Sequence, residues 1–385
     1  MPSIVRAAAC HVSPVLLDAK QTTQKCVRLI HEAADHGAHL VIFPETFIPA
    51  FPFWGPIVAP GAAHEYFAKM SKESVFADGE EVGAIRVAAR ERNVMVSVGI
   101  SEKVRYSSAT MFNSNLIIDG HGDVVVHHRK LVPTFYEKMT WTPGDGHGLK
   151  VANLPIKGPA GDDEPVKFGT LICGENTNPL ARYTMVAQGI NLHISSWPAT
   201  SIMGLADHVN DDHSHHEGET KDDDLQWKKA KKEGEESSKE FGRWDPIHMN
   251  RLRCGNQCVE GKCFGVISSA VLSPENIAVV TSMAPASAKA LVQSTLEKSS
   301  QAETAFLNPS GSLHRGFTID KVTGLKTDDV ESLRYDEGIL YADMDMDATI
   351  EGKQYHDLVG NYQRFDVFDL KVNTTRKQPV TFQTV

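Results

Sequence analysis

Three strand-like runs in this chain, two of them apolar or β-branched and one basic, each end on a side chain that can do chemistry. Residues 41–44 (VIFP) lead to Glu45, residues 127–129 (HHR) to Lys130, and residues 166–172 (VKFGTLI) to Cys173, followed by Gly174. Short runs of this kind read as strands, so a carboxylate, an ammonium and a thiol are offered from three strand ends. A thiolate is a soft, strong nucleophile. A nearby carboxylate can take the thiol's proton if a dry pocket raises its own proton affinity. An ammonium can stabilise negative charge on the attacked group or supply a proton to it. Taken singly, each residue has a plainer reading: a buried structural cysteine, a solvated glutamate after a proline, a lysine at a basic strand edge.

The elements that must position these groups follow from the pattern. Residues 4–10 read as a strand, and Asp18 caps a helix whose apolar positions are Cys26, Leu29, Ile30 and Ala33 and which Gly37 closes. Residues 39–43 are the next strand, so the chain opens β–α–β, which favours a layered α/β architecture. The Pro- and aromatic-rich residues 48–61 read as a loop near the pocket. Helices are expected at 64–75 and 79–92, a strand at 94–100, and a hairpin from 111–118 and 124–128 around the turn-rich 119–123. Residues 150–165 read as a loop. Past Cys173, the run Asn176, Thr177, Asn178, Pro179 opens a helix. A helix at 180–188 and a strand at 190–194 complete the regular alternation.

Residues 207–245 interrupt it. They are dense in charge, nearly free of apolar periodicity, and carry His208, His213, His215 and His216, so they read as a charged, His-rich surface insertion. The fixed ligand spacings of a structural zinc site are absent. Residues 246–263 resume as a helix and 264–269 as a strand. Cys254, Cys258 and Cys263 read as packing in that unit, with a zinc site as the alternative. Further expectations are a helix over 284–305, a strand at 338–343, a helix over 348–358, and a polar C-terminal tail at 371–385.

The 385 residues are 41% hydrophobic and 23% charged, an ordinary globular balance with material for a large core. A net charge of -10 argues against nucleic acid or an anionic membrane as partner. No apolar run reaches the ~18 residues of a membrane span. Six scattered cysteines without a secretory leader point to reduced thiols and a cytoplasmic protein.

FPETF around Glu45, HRKLVPTFYEK around Lys130 and CGENTNPLARY around Cys173 resemble the nitrilase branch of the carbon–nitrogen hydrolase superfamily. WTPGDGHGL, INLHISSWP, EGILYADMDM and DLVGNYQRFDV extend the likeness over nearly the whole chain. The resemblance implies a single-domain four-layer αββα sandwich over residues 1–370. It also implies protomers paired as a homodimer that builds larger homo-oligomers or filaments. No metal or organic cofactor is implied, and the partner is a small-molecule nitrile.

On this resemblance Cys173 is the nucleophile, Glu45 the base, and Lys130 the group that stabilises charge on nitrogen. Glu137, in the Tyr136-Glu137-Lys138 stretch, matches the family's second glutamate and would orient Lys130 and the substrate. Gly174 would lend its N–H to an oxyanion. Trp54, Thr134, Gly174 and Trp197 are the expected substrate-binding residues, with Phe51, Phe53 and Tyr136 nearby. Three departures stand out: Gly174 where many relatives carry Trp, and Asn361 and Phe365 where His and Pro are expected. The expected reaction is nitrile hydrolysis to acid and ammonia through a thioimidate and a thioester. The alternatives are an amidase on the same triad, a hydratase that releases the amide, and a non-catalytic assembly or metal-binding protein.

Overall fold

In the computed structural model, which describes residues 4–157, 163–199, 245–298 and 302–380, period-two alternation sets up the layers. Along β1 (Ile4–His11), Val5, Ala7 and Ala9 face one buried cluster while Ala8 and Cys10 face another. The first cluster lies between two sheets; the second lies between one sheet and its helices. Sheet one runs in the order β13 (Lys326–Val330), β12 (Gly316–Ile319), β15 (Gly338–Asp345), β1, β2 (Leu40–Ile42), β3 (Met95–Lys103), β4 (Met111–Ile118), β5 (Val124–Arg129). Sheet two runs β11 (Leu313–His314), β10 (Thr304–Leu307), β9 (Phe264–Ser269), β8 (Leu192–Trp197), β7 (Asp163–Ile172), β6 (Ala152–Lys157), with β14 (Ser332–Leu333) pairing β10.

Leu40, Ile42, Met95, Ile117 and Val126 of sheet one meet Phe168, Leu192, Ile194, Phe264 and Val266 of sheet two. Each such side chain contributes about 1.5–3 kcal/mol when fully buried. Helices α1 (Ala19–Asp35) and α3 (Glu80–Arg92) cover the outer face of sheet one, through Cys26, Leu29, Ile30, Ala33, Val82, Ile85, Ala88 and Ala89; α2 (His64–Glu73) lies between them in the chain. Helices α4 (Pro179–Val186) and α5 (Pro246–Gly261) cover the outer face of sheet two. This is the αββα sandwich. Asp18 caps α1 by accepting from Gln21 N at 2.8 Å, as its residue type implied.

Several elements differ from the reading of the sequence. Residues 150–165 are not a loop throughout: β6 and β7 pair antiparallel there, and Pro155 is accommodated because β6 is a sheet edge. The helix expected over 284–305 is the shorter α7 (Lys289–Lys298), with strand β10 beginning at Thr304; a further helix not expected from the sequence, α6 (Pro274–Met283), precedes it, and Pro285 lies between the two helices. The late helix is one turn, α8 (Ala348–Glu351), followed by a 3-10 turn Gly352–Gln354. The C-terminal segment is docked: Asp145 accepts from Lys377 N at 3.0 Å, and Arg376 donates to the His127 carbonyl at 2.7 Å. Cys254, Cys258 and Cys263 are fully buried, and the Sγ atoms of the first two pack where a side chain on Gly265 would stand. Residues 207–244 of the expected insertion, with its four histidines, lie outside the described residues. Among the described residues no helix is long and apolar enough to cross a membrane.

Candidate active site

Three left-handed backbone positions surround one small volume: Thr46 at φ 43°, Phe135 at φ 45° and Cys173 at φ 52°. Residues with side chains rarely take this conformation, and such strain concentrates where geometry is over-determined. Thr46 follows Glu45, Phe135 starts the 3-10 turn Phe135–Met139 that carries Glu137, and Cys173 starts the turn Cys173–Thr177 directly after β7. The loop after β2 folds over β3 at Gly99, where any Cβ would overlap Pro44 O and Thr46 N. Only glycine admits that close approach, and the approach carries Glu45 inward.

Lys130 is the hub. It follows β5, its side chain is fully buried, and its Nζ donates to Glu45 Oε1 at 2.8 Å and to Glu137 Oε2 at 2.6 Å. Glu137 Oε2 also accepts from Thr134 N at 3.0 Å. Glu45 Oε1 accepts a second hydrogen bond from Asn113 Nδ2 at 2.6 Å, and Glu45 Oε2 has no partner among the described residues. One carboxylate oxygen each of Glu45 and Glu137 and the Cys173 Sγ lie within 4.8 Å of one another. That donor set could hold a metal ion, but the positive charge between the two carboxylates is already the Lys130 ammonium.

The electrostatics follow from burial. Desolvation raises the Glu45 carboxyl, and Glu137 raises it further; the Lys130 charge and the bonds from Lys130 and Asn113 oppose this, leaving it at about 7. Burial pushes the Cys173 thiol well above its ordinary range, and Glu45 adds to that, while Lys130 pulls the other way. Burial alone would lower Lys130, but the surrounding Cys173, Glu45 and Glu137 hold it well above its ordinary value. The resting state is therefore a thiol, an ammonium, and a carboxyl balanced near neutrality with a free oxygen. Such a group can accept a thiol proton as the sulfur attacks.

The sequence-expected residues distribute unevenly. Glu45, Lys130, Glu137 and Cys173 come together. Gly174 lies against Thr134: a Cβ there would stand 3.0 Å from Thr134 Oγ1. Trp197 is buried, donates Nε1–H to Ser195 Oγ at 2.8 Å and packs in the cluster that Cys173 touches, with the Arg253 guanidinium 5.5 Å from its ring centroid. Trp54 is instead part of a buried cluster, stacked on Tyr66 at 6.2 Å, while its neighbour Gly55 packs against Tyr136.

Sequence reasoning missed Asn113 and Glu175. Asn113, Ser114 and Asn115 interrupt the apolar run of β4, and the two asparagines, at period two, share one buried face. Glu175 stands two residues past Cys173 and is buried.

The sequence pattern of the carbon–nitrogen hydrolase family matches residues 6–222. A nitrilase of Paraburkholderia phymatum is 29% identical over 382 residues, 98% of this chain and 89% of its own. A bromoxynil-specific nitrilase of Klebsiella pneumoniae subsp. ozaenae is 27% identical over 381 residues, 99% and 88% of the two chains. Among solved structures, Saccharomyces cerevisiae Nit3, of branch 10 of the nitrilase superfamily, superposes with a TM-score of 0.58 at 15% identity, covering 94% of this chain and 97% of its own.

Proposed function

The chain belongs to the carbon–nitrogen hydrolase family, and from that premise we propose that it is a nitrilase, which converts an organic nitrile and two waters into a carboxylic acid and ammonia. The observation that carries this reading is the convergence of the Cys173 sulfur and a partner-free oxygen of Glu45 around the buried Lys130 ammonium.

In this reading Cys173 adds to the nitrile carbon while Glu45 takes its proton. Charge develops on the nitrile nitrogen, and Lys130 stabilises it and supplies a proton, giving a thioimidate. Glu137, fixed by Thr134 N, holds the ammonium in place. Glu45 then activates a water, ammonia leaves, and a thioester remains. A second water releases the acid and restores the thiol. The Gly174 N–H faces the oxyanion of each tetrahedral species. Gly174 and Thr134 border the substrate, and Trp197 forms an apolar wall beside the sulfur.

Partners and compartment follow from other features. Tyr355, Tyr362, Phe365 and Phe368 are all more than 60% exposed on one C-terminal segment, which suits a second copy of this chain as its cover and assembly into larger oligomers. Six free cysteines suit a reducing cytoplasm.

The test is ammonia release with acid and amide products resolved, over a panel of nitriles and amides, for wild type beside Cys173→Ala. Acid from nitriles, reduced by more than about 10⁴-fold in the variant, is expected for a covalent nucleophile. Amide as the main product, turnover of amides alone, or full activity without the thiol would overturn the reading.

A further inference from the structure

One buried carboxylate at the site has no part in the chemistry above. Glu175 Oε1 accepts from Ile172 N at 2.6 Å and lies 2.6 Å from His128 Nε2, while Oε2 accepts from Leu131 N at 3.0 Å. Ile172 precedes Cys173, Leu131 follows Lys130, and His128 lies two residues before Lys130. These partners belong to different sheets: β5 ends sheet one, and β7 lies in sheet two. Among the described residues no backbone hydrogen bond joins residues 124–131 to residues 166–177. The nucleophile and the ammonium are thus delivered by two sheets that touch here through side chains.

We propose that Glu175 is the positioning residue that locks the cysteine turn of one sheet to the lysine strand end of the other, setting the Cys173 sulfur against the Lys130 ammonium. The proposal rests on the nitrilase reading for its kinetic consequences, but its geometric content stands apart from any substrate. An ionised carboxylate suits the task. It accepts only, so all three donors are satisfied at once, and each bond to a charged acceptor is stronger than a neutral one. Burial works against the charge, but His128 and the Ile172 and Leu131 N–H groups outweigh it and keep the Glu175 carboxyl below its ordinary range. The site needs such a tie because Cys173 is in the left-handed region, a conformation the local sequence does not favour. A displacement of about 1 Å between reacting groups can cost about 10²-fold in rate.

The experiment compares Glu175→Gln with wild type. The amide presents an NH₂ to a site built from donors, so one bond is lost and the turn shifts. Two readouts separate positioning from mere folding. The first is kcat and KM per titrated active site on a nitrile that the wild type turns over. The second is the rate at which iodoacetamide alkylates Cys173, the one cysteine of the six that is not fully enclosed. We expect kcat to fall about 10²-fold with KM within about threefold, and alkylation to slow by at least about tenfold. His128→Gln, which keeps a donor for Glu175, should retain kcat within about fivefold, while His128→Leu should lose about tenfold. Folded Glu175→Gln with kcat and alkylation within threefold of wild type overturns the proposal. If that variant does not fold, unchanged kcat and alkylation in His128→Leu overturn it instead. If the wild type turns over no nitrile, the function reading fails, while the alkylation rates still decide the geometric claim.

Discussion

Two buried carboxylates serve sheet one, and neighbouring residues supply them. β4 sends Asn113 to Glu45 and the next residue, Ser114, to Glu102. At the end of β5, Arg129 goes to Glu102 and the next residue, Lys130, to Glu45. Successive strand residues face opposite sides, so adjacent positions feed two sites across one sheet. The outcomes diverge. Glu102 is gripped by the Arg129 fork, by His127 Nε2 at 2.8 Å and by Ser114 Oγ at 2.6 Å. Burial raises it, but the donors, Arg129 first, pull it down to about 2. Glu45 has its bonds on one oxygen only and shares its lysine with Glu137, and it stands at about 7. Saturation with donors makes a fixed anion; an unfinished hydrogen-bond set and a shared cation make a base. Glu102 also belongs to the anchorage of the C-terminal segment, since the His127 that contacts it holds Arg376 through its carbonyl.

Substituting the two glutamates should give opposite phenotypes. Glu45→Gln removes the proposed base and is expected to lower kcat by about 10³-fold or more. Its stability should change by less than about 1 kcal/mol, because Lys130 keeps Glu137 and a disfavoured buried charge disappears. Glu102→Gln leaves the Arg129 guanidinium buried without its anion, at a cost of about 3–5 kcal/mol, while kcat per folded site stays within about threefold. Steady-state kinetics and urea unfolding on both variants check this. Equal activity losses would mean the two sites are not functionally distinct.

The same contrast predicts pH behaviour. Activity should rise with pH through about 7 as Glu45 loses its proton. For stability the signs oppose. Glu45 is raised from 4.5 in the folded state, so its contribution is present below about 4.5 and is lost as pH climbs through about 7. Glu102 is depressed, so its contribution is present above about 4.5 and is lost as pH falls towards about 2. Urea midpoints from pH 3 to 8 for wild type and each Gln variant separate the two slopes. Slopes of the same sign would break the assignment.

How much of this was legible in the sequence depends on the range of the interaction. Glu45 and Cys173 stand where an apolar run meets a turn and Lys130 ends a basic strand, all local signals, and the β–α–β opening favours a layered α/β fold. Glu175 was hidden in plain sight. Its spacing from Cys173 is visible, but its bond to Leu131 crosses 44 residues and two sheets. Gly99, which lets the Glu45 loop fold inward, reads in the sequence as one more strand residue. β6 was obscured by Pro155, which a central strand would exclude but an edge strand admits. The Trp54 ring went into a core cluster because aromatic residues near a motif are packing material as readily as pocket wall.

The finest test uses the adjacent donors of β4. Asn113→Ala removes a hydrogen bond from the Glu45 carboxylate, and Ser114→Ala removes one from Glu102. A bond to a charged acceptor is worth about 1.5–3 kcal/mol, and one pKa unit corresponds to about 1.4 kcal/mol. Loss of Asn113 should therefore push the Glu45 carboxyl further up and move the rising limb of the activity profile by about one pH unit to the alkaline side. Activity at pH 6 then drops several-fold and recovers near pH 8. Ser114→Ala should leave that limb in place, because Glu102 keeps Arg129 and His127, and cost about 1.5–3 kcal/mol of stability, since Glu102 too is a charged acceptor. The two substitutions are next to each other in the chain, so a nonspecific disturbance of β4 would move both profiles alike. A limb shifted only by Asn113→Ala means that Glu45 sets it, and a limb shifted equally by both would assign it to the strand instead.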